Sequence, residues 1–225
     1  MYYAFHVFGF IGAAIYMLLF TPKYGIERKI ALILTVITYT TVYALMLLLY
    51  YIATGNFGGQ NIVRVFVFIP PIVALYAAAF GINVRKALDL IAPVPCIVHG
   101  ISHLGCLFPG CCYSRLRVNW GIYNKRVGER LFPVQICEAL TAVLIAVILI
   151  LIMRKNQYDL HGKAMPFMLI LFGTTRFIWE FLRDNAKLLW EISDLALWGI
   201  GMAIAGAVWL FVDSVIRRKR GTTIV

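Results

Sequence analysis

Charge is scarce in this chain. Of its 225 residues only 14% are Asp, Glu, Lys or Arg, and just 10 are acidic, against about 25% charged residues in soluble domains. So little charge cannot coat a soluble globule or keep a disordered chain solvated. The sequence also lacks a linker, an internal repeat and any low-complexity stretch, so a single domain over residues 1–225 is expected. No Lys or Arg occurs among the first six residues and no small-residue cleavage site follows, which argues against a cleavable signal peptide. Apolar residues are plentiful instead. They make up 62% of the chain, where soluble domains hold roughly 45–50%, and the mean hydropathy is +0.84. The reading is an integral membrane protein.

The pattern predicts an all-α polytopic membrane protein, because a helix of roughly 20 apolar residues crosses a bilayer. Seven stretches qualify: Tyr2–Phe20, Ile30–Ile52, Ile62–Gly81, Leu88–Phe108, Pro133–Met153, Ala164–Leu182 and Leu195–Ile216. Pro70-Pro71 and Pro93-Val94-Pro95 interrupt the third and fourth, where kinks or half-helices are expected.

The net charge of +11 belongs to topology and anionic headgroups rather than to nucleic acid. With the N-terminus outside and the C-terminus cytoplasmic, 12 of the 21 basic residues fall on cytoplasmic segments and 8 on outer ones. Arg176 falls within the sixth span. Five of the outer eight crowd into one loop, residues 109–132. A basic outer loop beside polar membrane residues suits an anionic headgroup or phosphate.

The groups that cost most to place in a bilayer are the informative ones, since an ionised side chain there is usually paired or functional. Arg176 and Glu180 stand at i, i+4 on one helical face. They form either a self-neutralising packing pair or a guanidinium fork for phosphate or carboxylate, oriented by Glu180. Glu138 opens the fifth span with Gln135 one turn earlier, and a helix N-terminus tolerates such a carboxylate through the dipole. The densest cluster is HGISHLGCLFPGCCYS, residues 99–114. His99 and His103 share a face if helical, and Cys106, Cys111 and Cys112 follow. Soft zinc ligands are present, but structural zinc pairs are separated by two to four residues, whereas here an adjacent pair follows a gap of four. No metal is therefore expected. Thiol redox chemistry or an outer disulfide stays open, while Cys96 and Cys137 read as small packing groups. Gly100, Gly105 and Gly110 allow tight turns or close approach. Irregular backbone of this kind is tolerated where it is buried in protein or lines a wet cavity.

In this order the motifs resemble the bacterial prolipoprotein diacylglyceryl transferase family, along the whole chain. Tyr2 with Gly9-Phe10, Asp89-Leu90-Ile91-Ala92-Pro93, the His99–Ser114 stretch, Trp120-Gly121, Pro133-Val134-Gln135 with Glu138, and Arg176-Phe177 with Glu180 and Arg183 all look like family segments. The signature is of the cysteine-rich kind, close to HGxGRxGCFxxGCCYG. The chain departs from it with His103 at the signature arginine and Ser114 at the last glycine, while Cys106 and Cys111 stand where better-known members have asparagine and glutamate. Ile69-Pro70-Pro71 replaces an aromatic or histidine followed by two glycines.

The resemblance implies transfer of a diacylglyceryl group from phosphatidylglycerol to a lipoprotein cysteine in the bacterial cytoplasmic membrane, with no metal or organic cofactor. His99 or His103 would act as base, and His103 when protonated could replace the missing arginine. Arg176 would hold phosphate and Glu180 would orient it. Tyr2, Gly105, Cys106, Gln135 and Glu138 would line the lipid site, with Arg115 and Arg117 recruiting the anionic lipid. The expected partners are the bilayer, phosphatidylglycerol and a prolipoprotein lipobox peptide, not nucleic acid. The alternatives are a transferase with another donor or acceptor, and a relative that binds lipid or peptide without transfer.

Overall fold

The structure, a computed structural model, describes residues 1–55, 66–184 and 192–222. Eight helices carry most of the chain: α1 Tyr2–Phe20, α2 Arg28–Thr54, α3 Ile69–Ala79, α4 Val84–Ile91, α5 Pro93–Leu104, α6 Val134–Lys155, α7 Ala164–Glu180 and α8 Asp194–Thr222. Between α5 and α6 the chain forms an antiparallel hairpin of β1 Arg117–Asn124 and β2 Glu129–Leu131, which corrects the expectation of an all-α protein. Its turn is closed by Asn124, whose Oδ1 accepts from the amides of Arg126 at 2.9 Å and Val127 at 3.3 Å.

Five helical segments are long and apolar enough to cross a membrane: Tyr3–Tyr24, Arg28–Ile52, Val84–Leu107, Val134–Lys155 and Asp194–Lys219. The expected seven are thus reduced among the described residues, for two reasons. In the third stretch the proline pair lies in the first turn of α3 and α3 is only 11 residues long; proline favours a helix start because its missing N–H is not needed there. Residues 62–65 of that stretch, with Arg64, lie outside the described residues, as does Lys187. In the sixth, α7 is 17 residues long and ends at Glu180, where the chain turns to pair Arg183 with Ser114 in an isolated β-bridge. Pro93 and Pro95 open α5 immediately after Ala92, the right-handed junction that follows α4.

The burial pattern is that of a protein whose solvent is lipid. Ile11, Ile15 and Leu19 of α1, Leu140, Leu144 and Leu151 of α6, and Ile204, Val208 and Phe211 of α8 face outward, while Asp89, His103, Glu138, Arg176 and Glu180 are buried. Backbone polar groups in hydrocarbon must be satisfied within the helix. The hydroxyls of Thr35 and Thr141 donate likewise to the carbonyls four residues back, of Ala31 and Cys137.

Small residues let the helices approach closely where no water drives them together. At Gly173 of α7 a Cβ would lie 2.5 Å from the Gly199 carbonyl oxygen and 2.8 Å from the Ala203 nitrogen of α8. Gly173→Val should therefore force the two helices apart and cost about 1–3 kcal/mol. Thermal unfolding in detergent reads this, with Gly201→Ala, which meets nothing within 4 Å, expected to stay near the parent.

The bundle has two distinct ends. At one, Phe20 and Tyr24 meet Tyr158, Arg217 reaches the His161 carbonyl, and Gly162 packs on Arg85. At the other, Phe5 of α1 meets Phe108 and the C-terminal ends of α5 and α7 meet the N-terminal end of α6. The candidate site lies at this second end.

Candidate active site

Glu138, in the second turn of α6, sits where α5 and α7 approach. Its Oε1 accepts from Arg176 Nη1 at 2.8 Å, and Arg183 Nη1 bridges its two oxygens at 3.0 and 3.1 Å. His103 Nε2 of α5 stands 2.9 Å from Oε2, an electrostatic contact in which the ring N–H is not aligned for a hydrogen bond. Arg176 extends its other terminal nitrogen to Glu180 Oε2 at 2.6 Å, and Ser193 Oγ donates to Glu180 Oε1 at 2.7 Å. All of these side chains are buried. Two guanidiniums and two carboxylates balance formally, which offsets the cost of placing them in a low-dielectric interior. Two guanidinium donors are left over. Among the described residues the buried Nε–H groups of Arg176 and Arg183 meet no hydrogen-bond acceptor, and a buried unmet donor costs about 1–3 kcal/mol. Such a pair is suited to an oxyanion.

The two imidazoles extend the cluster along α5. His99 stacks on His103 with ring centroids 4.9 Å apart and lies edge-on to Phe66 and Phe172. The far side of His103 faces sulfur, with Nδ1 3.8 Å from Cys106 Sγ. From there the chain loops back, held by Cys111 N–H to the Cys106 carbonyl at 3.2 Å, by Gln135 Nε2 to the Cys111 carbonyl at 2.9 Å, and by Asn124 Nδ2 to the Gly110 carbonyl at 3.1 Å.

The structure thus brings together His99, His103, Cys106, Glu138, Arg176 and Glu180. Gln135 lies beside them, but its amide nitrogen is spent on the loop backbone, which makes it a positioning group rather than a free headgroup donor. Gly105 is buried in a right-handed conformation at the end of α5. Arg115 lies where its amide donates to the Leu182 carbonyl at 3.0 Å. Arg117 is 75% exposed at the base of the hairpin and pairs with Glu129. The Tyr2 side chain lies outside the described residues. Glu138, open to a bland capping role from its position, is the hub. Arg183 and Ser193 were missed as site residues. Arg183 counted as a loop charge, although its place three residues after Glu180 puts it on the Arg176 face and could have disclosed it. Nothing local in the sequence marks Ser193.

A model of the prolipoprotein diacylglyceryl transferase family matches residues 1–212. The chain belongs to this family. A phosphatidylglycerol–prolipoprotein diacylglyceryl transferase of Clostridium tetani is 30% identical over 121 residues, covering 51% of this chain and 48% of the relative. A second transferase so named, from Clostridium perfringens, is 30% identical over 111 residues, covering 47% of this chain and 43% of the relative. The chain therefore matches less than half the length of these curated relatives. Membership fits the buried carboxylate–guanidinium hub inside an apolar bundle.

Proposed function

We propose that this chain is a membrane-embedded transferase that moves a diacylglyceryl group from phosphatidylglycerol to the thiol of a lipoprotein cysteine. The observation that carries the proposal is the Glu138 hub with its two unmet guanidinium donors, in a chain of this family. The acceptor sulfur, as thiolate, forms a bond to the terminal glyceryl carbon of the diacylglyceryl group while the carbon–oxygen bond to phosphate breaks. Glycerol phosphate leaves with the electron pair. Arg176 and Arg183 meet the charge that grows on the departing oxygens. Glu180 and Glu138 hold the two guanidiniums in place. His103 has Glu138 on one ring nitrogen and Cys106 on the other, so the thiol proton goes to His99, the neutral imidazole stacked on it. The basic ends of α2, α4, α6 and α8 face the cytoplasm of the bacterial membrane, by the positive-inside rule. The site then opens to the outer side, where Arg115 and the basic hairpin attract anionic headgroups.

The experiment is mass spectrometry of a lipobox peptide incubated with the purified protein and phosphatidylglycerol. A diacylglyceryl mass increase is expected, lost in Arg176→Ala and strongly reduced in Arg176→Lys, which keeps the charge but not the fork. No mass increase from folded protein with co-purifying phospholipid would overturn transfer in favour of lipid binding alone.

A further inference from the structure

The diacylglyceryl transfer proposed above makes no use of the three cysteines beside His103, yet the fold gathers them deliberately. One ligand atom each from His103, Cys106 and Cys112 lies within 4.8 Å of the others. The His103 Nδ1 to Cys106 Sγ distance is 3.8 Å. A tetrahedral zinc ion with Zn–S near 2.3 Å and Zn–N near 2.0–2.1 Å spans ligand–ligand edges of about 3.5–3.8 Å. The ligand atoms already stand close to the separation a metal requires.

Backbone conformation shows how Cys112 is turned inward. After Gly110 at φ 67°, Cys112 itself has φ 57°, a left-handed conformation that costs a non-glycine residue energy and clusters at functional sites. This reversal brings a sulfur six residues along the chain back to Cys106, which linear spacing conceals. Cys111 Sγ points instead to the Cys106 carbonyl, 3.7 Å away. The loop is fixed from outside itself by Gln135 and Asn124, so the ligand positions are organised in advance. On the opposite edge of His103, the Glu138 carboxylate stands 2.9 Å from Nε2, so the ring edge that faces the sulfurs is Nδ1. Carboxylate–histidine pairs of this kind orient metal-binding imidazoles.

We propose that His103 Nδ1, Cys106 Sγ and Cys112 Sγ form a three-ligand site for a soft divalent metal ion, zinc, with a fourth position left open. Binding converts two thiols to thiolates and releases two protons to solvent, while the imidazole binds neutral. Imidazole and thiolate donors select zinc over magnesium or calcium, which take oxygen ligands. An ion at this position lies next to the Glu138 hub, and its site does not depend on which lipid or acceptor the protein uses.

The test is metal content of the full-length protein purified in detergent without chelator, followed by exchange to cobalt. One zinc per chain is expected, and cobalt should give thiolate-to-metal charge-transfer absorption with the visible bands of a tetrahedral ion. Cys106→Ser and Cys112→Ser should each lose the charge-transfer intensity and the bound zinc, whereas Cys137→Ala should keep both. On the unaltered protein, zinc should protect Cys106 and Cys112 from alkylation and a chelator should expose them, as read by peptide mass. Absence of stoichiometric zinc after incubation of fully reduced protein would overturn the assignment. So would a cobalt spectrum indifferent to both serine variants. A Cys106–Cys112 disulfide in protein handled without oxygen would also overturn it, assigning the cluster to redox chemistry.

Discussion

Glu138→Ala should lower the stability of the protein by about 3–5 kcal/mol, the usual cost of removing one partner from a buried ion pair. Two guanidiniums depend on this carboxylate at 2.8 to 3.1 Å, and neither reaches water once it is gone. Arg176 keeps Glu180 as a partner at 2.6 Å. Among the described residues Arg183 keeps a more distant carboxylate, Glu180 at 3.8 Å. Most of the loss should therefore come through Arg183. That expectation has a direct check in a double-mutant cycle. Glu138→Ala with Arg183→Ala should be less destabilised than the two single changes added together, because removing both leaves no orphaned charge between them. Thermal unfolding in one detergent reads all three variants. Additive losses would mean that Arg183 does not depend on Glu138. Transfer activity should vanish in Glu138→Ala even at temperatures where the variant remains folded, since both phosphate-facing guanidiniums lose their anchor.

How much of this hub was legible in the sequence depends on whether a contact is local. The Arg176–Glu180 pair is i, i+4 on one helix, and its spacing is enough to predict it. The same holds for the apolar length of α1, α2, α6 and α8, and for the break at Pro93, where a missing N–H and a ring clash act within one turn. Glu138 is different. Its partners come from α5, α7 and the turn beyond α7, at sequence separations of 35 to 45 residues, and a position in the second turn of a helix is compatible with harmless capping. The hairpin was hidden for another reason. Strands announce themselves by alternation when one face is buried, but β1 buries mainly Gly121 and Asn124, so its pattern looks like a polar loop. The approach of Cys112 to Cys106 was hidden because spacing arguments assume a simple knuckle. The left-handed residue at Cys112 makes a distant sulfur near.

Asp89 shows the opposite relation, a motif residue whose role is fixed far from the site. It opens the Asp-x-x-Ala-Pro segment, which suggests chemistry, yet it is fully buried at the end of the bundle away from Glu138. Its Oδ2 accepts from the amides of Leu160 at 3.0 Å and Gly162 at 2.9 Å, and its Oδ1 from that of Ala164 at 2.9 Å. The last of these is the first residue of α7, a helix whose preceding residue, Lys163, supplies no side-chain cap. One carboxylate thus satisfies three backbone donors and fixes the entry to the helix that carries Arg176 and Glu180. Asp89→Ala should strand all three at about 1–3 kcal/mol each, so a loss of several kcal/mol is expected, comparable with that of Glu138→Ala. Asp89→Asn keeps one acceptor oxygen and should fall between the parent and Asp89→Ala. The two sites should separate in a combined measurement of unfolding and transfer. Asp89→Asn loses stability at the α6–α7 connection while the Glu138 hub stays assembled, so protein that remains folded should retain transfer. A folded Asp89→Asn protein without activity would instead place Asp89 in the reaction.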